Sequence, residues 1–310
     1  MKIAFVFPGQ GSQSVGMLDA WADNAAVRQT LEQAGAALGQ DLSTLIAQGP
    51  ADDLNLTTNT QPVMLAAAVA TYAAWRAAGG AEPALVAGHS LGEYSALTAA
   101  GALRLEDAVR IVRVRADAMQ AAVPVGTGAM AAVLGLSDDD VRQVCEQAAE
   151  GQVVEAVNFN APAQVVIAGH KQAVERACEL AKARGAKRAL LLPVSAPFHS
   201  SLLEPAAQVL QSALESIQVD TPSIPVVNNV DVVSVEAPDA IRDALVRQAW
   251  HPVRWVETVQ AMKALGVTHI VECGPGKVLN GLTKRIDKDL TGLAITDPAS
   301  MQAALDLLQG

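Results

Sequence analysis

A chain of 310 residues, 51% hydrophobic and 17% charged, has material for one large core or for one core carrying an insertion. Its net charge of −10 argues against duplex nucleic acid and anionic membranes as main partners, and its 3% aromatic content against stacking on exposed bases. The three cysteines, Cys145, Cys178 and Cys273, are odd in number, widely spaced and form no CxxC pair, so they read as packing residues in a reducing compartment, not a disulfide framework.

The chain opens on "MKIAFVFPGQGSQ", whose apolar run at 3–7 is too short for a signal peptide core and reads as a buried strand. No run is long enough to cross a bilayer, so a soluble cytoplasmic protein is expected. A helix is expected over 59–78, capped by Asn59 or Thr60 with Pro62 in its first turn. A buried strand over 84–88 and a helix from Leu91 follow, then a helix over 105–123 with Glu106 and Asp107 in its first turn, where the helix dipole favours acids. Continuous apolar strands alternating with helices imply a parallel sheet covered on both faces.

At "PVGTG" (124–128) the rhythm changes. A strand over 129–136 leads to a helix over 137–150 that opens on Ser137 and Asp140, a capping-box-like pair. Strands at 153–159 and 164–169, a helix at 171–185 and a strand at 186–194 complete the order β-α-β-β-α-β of a ferredoxin-like unit. The expected organisation is an α/β subdomain of residues 1–124 and 197–310, interrupted by a ferredoxin-like subdomain of residues 125–196. The second part brings a helix after His199, a strand at 224–229 and helices across 238–266 broken near His251-Pro252. A strand at 269–274, a helix from Lys277, a strand at 293–296 and a closing helix end it.

Gly88-His89-Ser90-Leu91-Gly92 fits the G-x-S-x-G nucleophile elbow between a strand and a helix. Small residues two before and two after the serine let strand and helix approach, and the following helix points its first N–H groups at a developing oxyanion. The N–H of Leu91 is one expected donor; the alternative is that Ser90 merely caps the helix. "FPGQGSQ" (7–13) could bring the Gln10 backbone to a substrate carbonyl, or be a degenerate dinucleotide fingerprint in which Ser14 stands for the third glycine.

Of the five histidines, His199 in "SAPFHSSLL" stands at the return from the inserted unit and can overhang the sheet edge, as a general base or as a satisfied core residue. No acid stands out as a third triad member, and a backbone carbonyl could orient the imidazole instead. On the 105–123 helix, Arg110 and Arg113 have Glu106 and Asp117 four residues away and read as a solvated face of i,i+4 pairs. Arg115 borders apolar Ile111 and Met119, so its guanidinium needs a carboxylate or phosphate partner, from the protein or from a substrate.

Taken together, "FVFPGQGSQ", "GHSLGEYSAL", "VRADAMQ", "VNFNAPAQVVIAGH", "PFHS", "PVVNNVD", "VRQAWHPVRW" and "ECGPGKVL" make a pattern over essentially the whole chain. It resembles the malonyl-CoA:acyl carrier protein transacylases, the acyltransferases of bacterial fatty acid synthesis. The resemblance implies a hydrolase-like parallel-sheet subdomain carrying the ferredoxin-like one. It implies a ping-pong transfer of malonyl from malonyl-CoA through Ser90 to the phosphopantetheine thiol of acyl carrier protein. It also implies His199 as base, Gln248 as the residue whose backbone carbonyl orients it, Gln10 and Leu91 as oxyanion donors, and Arg115 on the malonyl carboxylate. Phe198, before the histidine, resembles the malonyl-selective pattern, because a methyl branch would collide with it. No metal and no cofactor is implied; coenzyme A enters only as the thioester substrate. The acidic carrier protein should meet a local basic patch, with "KARGAKR" (182–188) and "TKRIDK" (283–288) as candidates and a solvated face as the alternative for each. Two other functions share features: a serine hydrolase such as a thioesterase, which Arg115 disfavours for uncharged acyl groups, and a non-catalytic carrier-binding module, which needs neither Ser90 nor His199.

Overall fold

The computed structural model describes residues 1–194 and 196–309; Ser195 and Gly310, which fall in the two expected subdomains, lie outside the described residues. The first strand, β1 (Ile3–Phe7), is buried at every position. Three helices follow it: α1 (Ala25–Leu38), α2 (Leu42–Gln48) and α3 (Ala51–Asn55). The Asn24 side chain caps α1 by accepting from the N–H groups of Ala26 and Val27, and Gly39 ends it in the left-handed conformation. Next come the long α4 (Thr57–Ala77), β2 (Leu85–Gly88), α5 (Gly92–Ala99) and α6 (Leu105–Ala122).

The middle of the chain forms its own four-stranded sheet. It comprises β3 (Gly128–Leu134), α7 (Asp138–Ala149), β4 (Val154–Ala161), β5 (Gln164–His170), α8 (Lys171–Ala183) and β6 (Arg188–Leu191). Its strand order is β4-β5-β3-β6, antiparallel throughout, as the β-α-β-β-α-β rhythm requires. Ser137 caps α7 by accepting at its hydroxyl oxygen from the Asp140 N–H. The chain then returns through α9 (Glu204–Glu215), β7 (Val226–Val227), α10 (Pro238–Gln248), α11 (Trp255–Ala264), β8 (His269–Cys273), α12 (Val278–Ile286), β9 (Thr291–Ile295) and α13 (Pro298–Gln309). These strands join β1 and β2 in a five-stranded, all-parallel sheet of order β7-β2-β1-β8-β9.

The core of the parallel sheet is aromatic at its centre. Phe5 of β1 packs on Tyr72 and Trp75 of α4 with ring centroids 5.8 and 5.2 Å away. Trp21, Trp75 and Trp255 are all fully buried. The two sheets are stitched by Val253, in the loop before α11: it donates to the Val157 carbonyl (2.8 Å) and accepts from the Phe159 N–H (3.0 Å), both on β4. Among the described residues no helix is long and apolar enough to cross a membrane. The three cysteines are free and buried.

Three expectations need correction. The long helix starts at Thr57, so Pro62 lies inside it; Asn59 and Thr60 do not cap it, because their side chains donate upstream to the carbonyls of Asp53, Leu54 and Leu56. The strands expected at 186–194 and 224–229 contract to β6 and β7. Arg110 is exposed on α6, as a solvated face requires, and Arg113 is half-buried against Gln40 in the turn after α1, but the expected i,i+4 pairs do not form. Arg110 donates to the Ala37 carbonyl and lies 3.6 Å from Asp107, Arg113 donates to Gln40 and Asn59, and Glu106 accepts from Gln33.

Two glycines make the strand-to-helix turn possible. A Cβ on Gly88 would stand 1.8 Å from the Gly92 carbonyl carbon, and one on Gly92 would stand 2.0 Å from the Phe7 oxygen. Both neighbours are backbone and cannot yield without moving β1 or α5. Gly88→Ala and Gly92→Ala should each cost more than about 4 kcal/mol, read as loss of soluble protein or a collapse of Tm. By contrast, Gly281→Ala, inside α12 with open space around its Cβ position, should leave stability unchanged or raise it by about 0.5–1 kcal/mol in the same thermal denaturation assay.

Candidate active site

The turn between β2 and α5 forces Ser90 to a φ of +53°, a region that a residue with a Cβ avoids unless its surroundings hold it. The hold comes from two side chains of the C-terminal half. Asn229, just past β7, accepts from the Ser90 N–H (2.8 Å) and donates to the Gly88 carbonyl (2.7 Å). Gln248, the last residue of α10, donates from Nε2 to the Ser90 carbonyl (2.7 Å). The parallel sheet therefore presents the serine at the C-terminal end of its central strands, where open α/β sheets build their sites.

His199 also sits at positive φ, +65°, and is 2% exposed. Its Nε2 is 2.6 Å from Ser90 Oγ and its Nδ1 is 2.8 Å from the Gln248 carbonyl. A carbonyl only accepts, so Nδ1 carries the proton and Nε2 offers its lone pair to the serine hydroxyl, the tautomer a general base needs. Burial, reinforced by the charge of Arg115, pushes the imidazole pKa down to about 3. The other histidines are bonded elsewhere: His89 to Asn160, His170 to the Val153 N–H, His251 to the Arg247 carbonyl and His269 to Thr268. No carboxylate reaches His199 Nδ1 among the described residues, so the hydrolase-type acid has its place taken by a backbone oxygen.

Arg115 is 3% exposed and points at the same serine. Its guanidinium donates to Gln61 Oε1 (2.7 Å), Gln248 Oε1 (3.0 Å) and Ser90 Oγ (3.2 Å), and its Cζ lies 5.5 Å from the Tyr94 ring centroid. Among the described residues no carboxylate lies within ion-pair distance of it. Its partners are neutral oxygens and an aromatic face, which leaves its charge available to an incoming anion.

These groups open onto one cavity of about 200 Å³. Ser90, Leu91, Arg115, His199, Phe198 and Gln10 line it, and Met130, Val166, Leu192 and Val194 of the antiparallel sheet and the segment after it roof it. The backbone N–H groups of Gln10 and Leu91 donate to no protein acceptor among the described residues, as expected of donors kept for a ligand oxygen. Gly9 is needed for this approach: a Cβ there would stand 2.6 Å from the His89 oxygen. The loop after β1 runs through turns to Trp21, and the first α-helix starts only at Ala25. A dinucleotide fingerprint would lack its helix N-terminus here. A larger cavity, about 740 Å³, borders His199 from the side of α7, β4 and Trp250, but contains neither Ser90 nor Arg115.

Sequence reading has no account of four supporting residues. Gln61, Asn229 and Gln248's side chain are neutral amides whose importance depends on which atoms they meet in three dimensions. Glu93 is a buried carboxyl on α5, 2% exposed, whose Oε2 accepts from the Asn229 N–H (3.0 Å) and from Gln248 Nε2 (3.0 Å). The one available signal is the single charged residue in the helix directly after the elbow.

Comparison with known proteins matches the acyl transferase domain family over residues 4–291. The malonyl CoA-acyl carrier protein transacylase of Escherichia coli K12 is 58% identical over 307 residues, 99% of both chains. The crystal structure of an acyl-carrier-protein S-malonyltransferase from Burkholderia pseudomallei superposes with a TM-score of 0.98 at 67% identity, covering 99% of this chain and 100% of that one. A malonyl-transacylase solved in complex with its type II PKS acyl-carrier protein has a TM-score of 0.98 at 51% identity, covering 99% of this chain and 100% of that one. With its nucleophile elbow, its histidine held by a backbone carbonyl and its buried arginine, the chain belongs to the acyl transferase domain family and, within it, to the malonyl CoA-acyl carrier protein transacylases.

Proposed function

We propose that this enzyme transfers the malonyl group of malonyl-CoA to the phosphopantetheine thiol of acyl carrier protein through a malonyl ester on Ser90, supplying chain elongation in fatty acid synthesis. The observation that carries the reading is the placing of an imidazole and a guanidinium with no direct carboxylate partner on one hydroxyl: His199 Nε2 at 2.6 Å and Arg115 Nη2 at 3.2 Å from Ser90 Oγ. A malonyl group has only one methylene between its carbonyl and its carboxylate. A cation that binds the carboxylate while the carbonyl is attacked must therefore stand beside the nucleophile, as Arg115 does.

In the first half-reaction Ser90 Oγ attacks the thioester carbonyl and its proton passes to His199 Nε2. The N–H groups of Gln10 and Leu91 stabilise the oxyanion; the C–S bond breaks, and coenzyme A leaves with the proton from His199. In the second, His199 takes the proton of the carrier thiol, the sulfur attacks the ester carbonyl, and Ser90 leaves and regains its proton. Gln248 holds the imidazole through its carbonyl, and Phe198 narrows the cavity against a branch on the methylene, a selection worth about 1–3 kcal/mol. Every step uses protein groups and the two thiols, so we assign no metal or cofactor to it. The three reduced, buried cysteines support a cytoplasmic setting.

We place the carrier on the two basic stretches. Arg285 donates to Gln164 at the start of β5, and Leu134 of β3 pairs in register with both Gln164 and Arg188, so the two stretches converge on one end of the antiparallel sheet. From Arg188, β6 leads directly to Leu192 and Val194 at the cavity. An acidic carrier docked there has its thiol arm aimed along β6 at Ser90.

Intact mass after brief mixing with malonyl-CoA tests the covalent step: wild type should gain one malonyl group, discharged rapidly by holo-carrier and slowly by water, and Ser90→Ala should gain none. An adduct lost equally fast with and without carrier would make the protein a hydrolase. Arg115→Ala should lower kcat/KM for malonyl-CoA by about 10²–10³ while acetyl-CoA, which has no carboxylate, changes little; equal losses on both would remove the clamp. Because His199 is held at about 3, it stays neutral down the acid range, and malonylation of Ser90 should not fall along a pKa of 6.5. Stopped-flow acylation rates between pH 5 and 8 read this directly, and a midpoint near 6.5 would mean that the imidazole titrates freely.

A further inference from the structure

Glu93 and Arg115 are both almost fully buried, and they do not touch. Between them stands a single amide. Arg115 Nη2 donates to Gln248 Oε1 at 3.0 Å, and Gln248 Nε2 donates to Glu93 Oε2 at 3.0 Å. The amide's dipole is aligned with the field of the two charges, its oxygen toward the cation and its nitrogen toward the anion. The second bond to Glu93 Oε2, from the Asn229 N–H, fixes the carboxylate in place. A buried guanidinium without a direct anion and a buried carboxylate without a direct cation are each unfavourable alone, and joined through Gln248 each relieves the other.

We propose that Glu93 is the counter-ion of Arg115 in the free enzyme, coupled to it through the Gln248 amide, and that the malonyl carboxylate competes with it for the same cation. Glu93 is then a positioning residue that sets how tightly the acyl carboxylate is held. Its presence orders the guanidinium before substrate arrives. Its negative charge weakens the clamp, so that the malonyl group is released to the carrier and not retained. This rests on Arg115 being the malonyl clamp.

The coupling has a sign. Burial raises the Glu93 carboxyl pKa to about 7, against the lowering effects of Gln248, the Asn229 N–H and Arg115 of α6. The other ionisable groups near it are Tyr94, beside it on α5, and Asp231, beyond β7, which is held by Arg247 of α10 at 2.7 and 2.8 Å. The strands β1 and β2 that pack on α5 carry no ionisable residue, and α4 carries only Tyr72 and Arg76. As pH rises through 7 the competing anion appears, and affinity for the acyl carboxylate should fall.

The probe is the malonyl thioester of N-acetylcysteamine, which carries no phosphate to titrate, with the acetyl thioester as control; the readout is the half-saturation of Ser90 acylation. In wild type, half-saturation by the malonyl thioester should rise from pH 6 to 8, and by the acetyl thioester stay level. Glu93→Gln keeps an acceptor oxygen and removes the charge; it should lower the malonyl half-saturation at pH 8 by about three- to tenfold and flatten its pH dependence. A purely structural Glu93 would instead reduce the fraction of active enzyme for both thioesters without moving half-saturation. A flat wild-type profile, or a Glu93→Gln half-saturation unchanged or raised, overturns the proposal; the wild-type profile decides alone if the variant does not fold. Arg115→Ala separates the two readings. Should it keep the preference for malonyl over acetyl, the clamp itself fails; should it lose that preference while the Glu93 tests fail, only the counter-ion is wrong.

Discussion

A guanidinium taken out of water loses solvation worth several kcal/mol, and Arg115 recovers it from two amide oxygens, the face of Tyr94 and a carboxylate one amide away. The compensating groups come from three separate helices: Gln61 from α4, Tyr94 and Glu93 from α5, Gln248 from α10. Folding must therefore bring those helices together around one charge, and the charge stands 3.2 Å from the nucleophile. The packing of α4 against α5 and α6 sets Gln61 beside Arg115, so the core and the site share a foundation.

Gln248 carries more of this arrangement than its neutral side chain suggests. Its carbonyl orients His199, its amide oxygen receives Arg115, and its amide nitrogen serves both the Ser90 carbonyl and Glu93. Ser90, His199, Arg115 and Glu93 are thus registered to one residue at the end of one helix. The strained conformations of Ser90 and His199, at φ of +53° and +65°, persist because these bonds hold both turns at once. The antiparallel sheet completes the cavity from the other side, and Val253 ties it to the parallel sheet through β4, so the roof keeps a fixed height over the serine.

Much of this was legible in the residues because it depends on local rules. The short apolar runs located the strands of both sheets, and the glycines flanking Ser90 announced a turn in which any Cβ collides with backbone. The misreadings have a common cause: a side chain spent on a distant partner. Asn59 and Thr60 looked like caps, yet donate to the carbonyls of the preceding α3 region. Arg110 and Arg113 looked paired with acids four residues away, yet they donate to neutral oxygens of α1 and of the turn after it. Glu93 offered only its charge as a signal and Gln61 none, since a polar residue in a buried helix acquires its meaning only from the residues that packing brings opposite. The assignment of Arg115 to the substrate came from family resemblance, because spacing on α6 showed only that it needed an anion.

The choice of a carbonyl instead of a carboxylate behind His199 follows from the chemistry proposed for the site. A carboxylate at Nδ1 would favour the imidazolium and strengthen the base, which suits expulsion of an amine. Here the group expelled is a thiol in the first half-reaction, which with a pKa near 8.5 departs without a strong acid behind it, and the Ser90 oxygen in the second, which departs with the proton His199 has taken from the carrier thiol. A weakly basic imidazole, held low by burial and by Arg115, is sufficient for that exchange. It also keeps a second anion out of a pocket whose cation must stay free for the malonyl carboxylate. An aspartate beside His199 would compete for Arg115 at close range. The carbonyl of Gln248 orients the ring without adding charge, and the carboxylate admitted nearby, Glu93, is kept one amide away.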